Sequence, residues 1–250
     1  MTQLPHRVDT VLVHGDVEPL GPFWEELISK YPDRVSYVYR SQQSSIYGRP
    51  ITKLSPMSDV LRLDILLKYG GIYTDWDAVW VKELDTSIRQ YDTVVSLDWP
   101  GHLKPYPDTL NLGVMLAKPG APFIRRLLDN LHDFEDGVGP NLWCYICLKS
   151  YKVYEKYPNL VKIDHHLQVI AYQNYYHPTW IEGYHDIKFE PAPSQFNWSR
   201  GDVYALHWTW PTPPELRSVK FTQQSNSIAA QVARYILLRS NIDFRNVDQI

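Results

Sequence analysis

The stretch that decides the fold is residues 58–77, SDVLRLDILLKYGGIYTDWD. Ser58 is a favourable helix N-cap, and the apolar spacing after it predicts a helix that runs to Tyr69. Gly70-Gly71 supplies the left-handed stop that helices favour at their C-terminal ends. The β-branched and aromatic residues at 72–81 then predict a buried strand that continues past its two aspartates or resumes after them. A helix therefore passes directly into an acidic strand.

The two aspartates of this strand, Asp75 and Asp77, are separated by one residue. In extended backbone side chains repeat every two positions, so both carboxylates are expected to point to the same side. Such a pair of oxygen ligands suits Mg²⁺ or Mn²⁺ bridging a diphosphate, because the ion neutralises the charge that develops on the leaving group. Aspartates are also common in loops at strand ends, so the pair alone is weak support.

The preceding helix carries charge on its apolar face. At about 100° per residue, Asp59 and Arg62 share a stripe with Leu63, whereas Asp64 falls on the opposite face. Burial of unpaired charges is costly, so the two side chains either form a structural i,i+3 ion pair or face a polar ligand. Both alternatives stay open from the sequence.

Strand and helix patterns alternate along the rest of the chain, which predicts an α/β fold with a mixed sheet covered by helices. Predicted strands lie at 8–13, 35–39, 93–97 and 112–116, helices at 23–30, 122–134 and 228–238, and a mostly helical stretch at 142–173. A chain of 250 residues can bury one substantial core. We therefore expect a single domain over 1–250, with a compact part at about 7–210 and a C-terminal helix that packs back on it.

Composition excludes several classes of function. The formal net charge is -3 and the Lys and Arg residues are scattered, which argues against a nucleic-acid partner. No apolar run approaches the roughly 20 residues needed to span a bilayer, and the start does not resemble a signal peptide, so we expect a soluble chain. Cys144 and Cys147 have the spacing of a redox motif, but they lack the strand and helix context of one and have no second pair for zinc.

The spacing Ser58-Asp59-x-x-Arg62, followed by Leu66 and by Tyr69-Gly70-Gly71-Ile72-Tyr73-Thr74-Asp75-x-Asp77, resembles the signature of the sugar-binding DXD glycosyltransferases. This is family 32, with its α-1,4-galactosyl-, α-1,4-N-acetylglucosaminyl- and α-1,6-mannosyltransferases, and it is similar at its core to clostridial glucosylating toxins. The resemblance implies a GT-A-like mixed central sheet flanked by helices. It also implies a retaining, Mn²⁺- or Mg²⁺-dependent transfer from a UDP- or GDP-sugar donor to a glycan or glycolipid hydroxyl. The location it implies is the Golgi lumen if an anchor lies outside this chain, and the cytoplasm otherwise.

The same resemblance assigns roles to residues. Asp77 is expected to ligate the metal directly, and Asp75 to contact the ribose and the metal shell. Asp59 and Arg62 are expected to hold hydroxyls of the donor sugar. A carboxylate and a guanidinium together supply the acceptors and donors that sugar hydroxyls require, so this assignment agrees with their chemistry.

Weaker similarity extends downstream. Residues 110–119, LNLGVMLAKP, are similar to the return strand of the family, which makes Asn111 a candidate donor or acceptor contact, although an Asn that opens a strand is an equal alternative. Residues 204–208, YALHW, are similar to its late His-containing segment. His207 is therefore a candidate third metal ligand, since imidazole binds Mn²⁺, or else a structural histidine.

One departure and two rival hypotheses remain. Nothing here matches the family's first strand, Ile-Pro-x-x-Ile-His-x-x-Trp, so the base pocket is expected to differ or the chain to start one element later. An aspartate after an apolar strand also fits a haloacid-dehalogenase-like phosphatase with Asp75 as nucleophile, but the later acidic pair of that class is missing. A non-catalytic sugar- or nucleotide-binding relative is the other alternative.

Overall fold

The computed structural model describes residues 10–98, 109–133, 145–164, 166–169, 203–207, 219–224 and 228–239. Its strands are β1 (Val11–Gly15), β2 (Val35–Tyr39), β3 (Ser45–Ile46), β4 (Arg49–Pro50), β5 (Gly71–Thr74), β6 (Ala78–Trp80), β7 (Thr93–Leu97), β8 (Leu110–Ala117), β9 (Lys162–Ile163), β10 (Gln168–Val169) and β11 (Ala205–His207). Its α-helices are α1 (Pro22–Lys30), α2 (Leu54–Tyr69), α3 (Pro122–Asp129), α4 (Tyr145–Lys156), α5 (Val219–Gln224) and α6 (Ile228–Arg239). The predicted mixed α/β fold is confirmed.

Two sheets carry the residues singled out by the sequence. The four-stranded sheet has the order β5-β8-β7-β9, with antiparallel pairs at β5–β8 and β7–β8 and a parallel pair at β7–β9. The three-stranded sheet has the order β10-β11-β6, in which β11 is parallel to β10 and antiparallel to β6. The predicted strand at 72–81 therefore resumes after its aspartates, and its two halves belong to different sheets.

Helices α2, α3 and α4 bury their apolar side chains against the four-stranded sheet. The most fully buried members of this core are Leu63, Leu66, Leu110, Met115, Phe123, Ile124 and Leu127. A smaller cluster joins α6 to the three-stranded sheet through Val81, Val203, Leu206 and Val232. Among the helices that the structure describes, none combines the length and apolar character needed to cross a bilayer.

Helix α2 ends where the sequence predicts but begins earlier. Its C-cap is Gly70, at φ 66°, whose N–H donates to the Leu66 carbonyl. Its first residue is Leu54, so the prediction of Ser58 as N-cap is wrong. The Ser58 hydroxyl instead donates to the Ser55 carbonyl, 2.8 Å away within the helix. Pro56 is compatible with the earlier start, because the first turn of a helix tolerates proline where the missing N–H has no helical partner.

Other boundaries differ modestly. Helix α3 ends at Asp129, short of the predicted residue 134, which lies outside the described residues. Within 142–173 only α4 is α-helical among the described residues, and it stops before Pro158. Proline disfavours helical backbone at the residue before it, which explains the stop. Residues 8 and 9 of the predicted first strand, and Cys144, lie outside the described residues, and Cys147 is buried in the main core.

Candidate active site

Asp75 and Asp77 lie in the turn that connects the two sheets. The extended backbone predicted for them is wrong, because β5 ends at Thr74 and the Ala78 N–H donates to the Asp75 carbonyl at 3.1 Å. The turn is anchored to β8 by the Asp75 N–H, which donates to the Gly113 carbonyl at 2.7 Å. The geometry of this pair therefore comes from a turn, not from strand alternation.

The carboxylates converge on His207 of β11. Antiparallel pairing sets His207 opposite Ala78, the residue that follows Asp77. His207 Nε2 lies 3.1 Å from Asp77 Oδ1 and 3.9 Å from Asp75 Oδ2. Residues 130 positions apart in sequence thus meet because β6 and β11 share a sheet.

These three residues fit a divalent metal. One ligand atom from each of Asp75, Asp77 and His207 lies within 4.8 Å of the others. Ligands at right angles around an ion at ~2.1 Å are about 3 Å apart, close to the observed imidazole to Asp77 separation. The Asp77 side chain is 51 % exposed, so it is open to a ligand from solvent. Two carboxylates and one imidazole form a donor set suited to Mn²⁺.

Arg62 of α2 is buried beside the turn and donates to several acceptors. Its Nη1 donates to Asp75 Oδ2 at 3.1 Å and to the Leu112 carbonyl at 2.8 Å. Its Nη2 lies 3.1 Å from Asp59 Oδ1 and 3.2 Å from Ser58 Oγ, and its Nε donates to the Ser58 carbonyl at 3.4 Å. The predicted i,i+3 ion pair therefore forms, and the same guanidinium joins it to the acidic turn. Every N–H of the guanidinium has an acceptor in the protein.

Tyr73 completes the support of Asp75 and was missed from the sequence. Its hydroxyl donates to Asp75 Oδ1 at 2.6 Å, and its ring lies under the Arg62 guanidinium, 4.6 Å from the centroid. Burial raises the pKa of the Tyr73 phenol above its ordinary value, so the hydroxyl stays a donor. The spacing Tyr73-x-Asp75 on one strand end could have indicated this contact. Both oxygens of Asp75 are thereby held by the protein.

Electrostatics of the α2 face follow from burial. Burial raises the pKa of the Asp59 carboxyl to about 6, against the opposing attraction of Arg62. Burial alone would lower the pKa of the Arg62 guanidinium, but the neighbouring Asp59, Tyr73 and Asp75 hold it above its usual range. The guanidinium is therefore a permanent positive charge between two carboxylates.

Asn111 on β8 lies next to this site but makes its contacts within the protein. Its Oδ1 accepts from the Gly113 N–H at 2.8 Å and from Gln168 Nε2 at 3.1 Å, and its Nδ2 donates to Asp98 Oδ1 at 3.2 Å. An Asn that bonds the backbone two residues on is typical of turns. Asn111 thus has structural contacts, and its role as a donor or acceptor contact stays a prediction. Gly113, Gln168 and Asp98 are neighbours that the sequence did not indicate.

Comparison with known proteins bears on the class of this site. Residues 22–94 match a family model described as glycosyltransferase sugar-binding region containing DXD motif. The chain is 27% identical to glucan organizing enzyme 1 of Cryptococcus neoformans var. grubii over 202 aligned residues. The alignment covers 79% of this chain and 50% of that protein. A solved structure, PaToxG glycosyltransferase, is 16% identical and covers 54% of this chain and 52% of its own, with a TM-score of 0.33.

Over residues 22–94 the chain is therefore similar to glycosyltransferases with a DXD motif. In this chain the matched region holds α1, α2, β5 and the turn with Asp75 and Asp77. The chain spans half the length of the curated relative it matches. His207 and Asn111 lie outside the matched residues, and the fold brings both to the same site.

Proposed function

We propose that this chain is the catalytic region of a metal-dependent glycosyltransferase. It transfers the sugar of a UDP- or GDP-sugar to a hydroxyl of a glycan or glycolipid, with retention of the anomeric configuration. The observation that carries the proposal is the meeting of Asp75, Asp77 and His207 beside the buried Asp59–Arg62 pair. A metal site and a polar face suited to hydroxyl groups then adjoin each other.

Asp77 and His207 are the direct ligands of Mn²⁺ or Mg²⁺ in this proposal. The exposure of Asp77 and the 3.1 Å separation between its Oδ1 and His207 Nε2 support that role. A bound divalent ion neutralises charge on the departing diphosphate. Asp75 contributes to the metal shell and the ribose, and its contacts to Tyr73 and Arg62 fix its orientation before any donor binds.

Asp59 and Arg62 hold hydroxyls of the donor sugar. Both side chains are buried, and Asp59 is favoured as the direct contact because the N–H groups of Arg62 already have acceptors. A hydroxyl that reaches Arg62 has to replace its longest contacts, those to Ser58 at 3.2 and 3.4 Å. Arg62 then acts mainly by orienting Asp59 and Asp75. The name of the curated relative, glucan organizing enzyme 1, supports a glycan, specifically a glucan, as the acceptor class.

The test is a panel of UDP- and GDP-sugars incubated with the protein and Mn²⁺, with release of the nucleoside diphosphate as the readout. We expect hydrolysis or transfer with one donor, its loss in the presence of EDTA, and its loss in Asp77→Asn. Turnover that persists in EDTA contradicts the metal role. Metal-dependent binding of UDP or GDP without turnover of any donor favours the non-catalytic alternative.

The matched control for Asp77→Asn is Asp64→Asn. Asp64 lies on the exposed face of α2, so this change should leave turnover unchanged.

A second experiment tests the phosphatase alternative. A phosphoaspartate analogue such as beryllium trifluoride should not bind Asp75, whose oxygens are hydrogen-bonded to Tyr73 and Arg62. Inhibition by that analogue would favour a phosphatase.

A further inference from the structure

Gly113 lies against the imidazole of His207 with no space for a side chain. A Cβ built on Gly113 would lie 2.0 Å from Cε1 and 2.5 Å from Nδ1 of His207, and 2.9 Å from Oδ2 of Asp75. Contacts this short require the ring to move, and the ring is buried, since His207 is 6 % exposed. Adding one methyl group at position 113 is therefore incompatible with the observed place of His207.

The requirement for glycine here is steric. Gly113 is absent from the glycines with positive φ, in contrast to Gly70 at φ 66°. An alanine could adopt the Gly113 backbone without strain, because only left-handed φ values favour glycine. What excludes a side chain is the neighbouring ring and carboxylate.

The backbone of Gly113 is held in place on both sides. Its carbonyl accepts the Asp75 N–H at 2.7 Å, and its N–H donates to Asn111 Oδ1 at 2.8 Å. The β7–β8 register shifts in this region, since Val94 is opposite Leu116 whereas Ser96 is opposite Asn111. The Asn111 side chain thus satisfies the N–H of Gly113 at an irregular part of the ladder. The main chain cannot easily retreat to admit a side chain.

The Nδ1 side of the His207 ring is held by packing and not by a hydrogen bond. A metal-bound histidine is usually fixed by a hydrogen bond from its second ring nitrogen. His207 Nδ1 is buried and has no hydrogen-bond partner among the described residues. Close packing on Gly113 therefore positions the Nδ1 and Cε1 edge of the ring, while Nε2 contacts Asp77.

We propose that Gly113 is a positioning residue of the metal site, which seats His207 so that its Nε2 faces Asp77 and Asp75. This proposal rests on the proposed function, because the metal gives the seating its purpose. Gly113 touches no substrate in it and acts only through His207 and Asp75. A larger residue at 113 displaces the imidazole and leaves the carboxylates as the remaining ligands.

The test is a double-mutant cycle with Gly113→Ala, His207→Ala and the two combined. Mn²⁺ affinity is measured by calorimetry and stability by urea denaturation. In the wild-type background we expect Gly113→Ala to weaken Mn²⁺ binding about tenfold or more and to lower the urea midpoint. In the His207→Ala background the ring is gone and only the 2.9 Å contact to Asp75 Oδ2 remains, so both effects should be much smaller. Equal effects of Gly113→Ala in the two backgrounds would overturn the proposal.

A matched control and the stability readout keep this result separate from the proposed function. Gly15 of β1 also has no positive φ, and the nearest atom to a Cβ there is the Val17 carbonyl oxygen at 3.3 Å, so Gly15→Ala should leave Mn²⁺ affinity unchanged. If the wild-type protein binds no Mn²⁺, the proposed metal role is wrong. Urea denaturation of the wild type, the two single variants and the double variant still tests whether Gly113 positions His207. A Gly113→Ala protein that unfolds and is not rescued by His207→Ala also overturns the seating.

Discussion

The two aspartates of the DXD motif occupy opposite environments although one residue separates them. Asp75 is 22 % exposed at its side chain, and Arg62 and Tyr73 each donate to one of its oxygens. Asp77 is 51 % exposed at its side chain and contacts the His207 imidazole. Within a single motif, buried hydrogen bonds hold one carboxylate in a fixed orientation, and the other carboxylate is open to bind a ligand.

The contacts of the two aspartates also come from different parts of the chain. The side-chain hydrogen bonds of Asp75 come from Arg62 and Tyr73, which both lie within residues 58–77. The contact of Asp77 comes from β11, through strand pairing across most of the chain. The following predictions test whether the contacts of Asp75 support folding and whether the contact of Asp77 supports chemistry.

The largest expected effect is on stability, from Arg62→Ala. Removal of the buried guanidinium leaves Asp59 and Asp75 without their counter-charge, and we expect a loss of ~3–5 kcal/mol in the free energy of unfolding. Urea denaturation measures it. Arg62→Lys keeps the charge but loses the planar fork and should be intermediate. A loss near zero for Arg62→Ala would mean that the network contributes nothing to the fold.

Asp77→Asn should instead reduce turnover strongly and change stability little. We expect metal-dependent turnover to fall about a hundredfold or more, because the ion contributes several kcal/mol of charge stabilisation. Stability should change by less than about 0.5 kcal/mol, as is usual for exposed positions away from buried networks. Steady-state kinetics with a Mn²⁺ titration, together with urea denaturation, checks both. A large destabilisation would erase the proposed difference between the aspartates.

Tyr73→Phe should have a smaller effect on stability, because it changes only the contacts of Asp75. It removes the 2.6 Å hydrogen bond to Asp75 but keeps the ring below Arg62. A hydrogen bond to a charged group contributes about 1.5–3 kcal/mol, so we expect a loss of about that size in stability. Mn²⁺ affinity should change less than in Asp77→Asn. Calorimetry on both variants makes the comparison, and equal losses of affinity would contradict it.

A further expected effect is a pH dependence of stability that comes from Asp59. Its pKa is raised from 3.8 to about 6 in the folded protein, so the folded state binds the proton more tightly than the unfolded state. The stabilisation is complete below the unfolded pKa and is lost as the pH rises through the folded pKa. The stability of the wild type relative to Asp59→Asn should therefore fall between about pH 4 and pH 6. Thermal melts of both proteins across this range test it, and parallel curves would mean that Asp59 titrates normally.

Local patterns in the sequence predicted much of the fold. Helix α1, strands β2 and β7, and the Gly70 end of α2 agree with their predicted bounds within one residue. These boundaries depend on apolar periodicity, glycine and proline, which act over a few residues. The start of α2 was missed because Ser58 had two local interpretations, a cap or a helix-interior serine. Tertiary packing of Pro56, which is buried, and of Met57, which contacts the main core, accompanies the earlier start.

The sequence by itself determined that Asp59 and Arg62 face inward together, because the helical repeat leaves no other arrangement. It also determined that two carboxylates follow the next strand. Only the tertiary structure decided that Asp75 joins Arg62 while Asp77 joins His207, and that position 113 has to lack a side chain. Pairing between β6 and β11 brings the imidazole to the motif. Such long-range contacts depend on which strands become neighbours, and no local propensity specifies that.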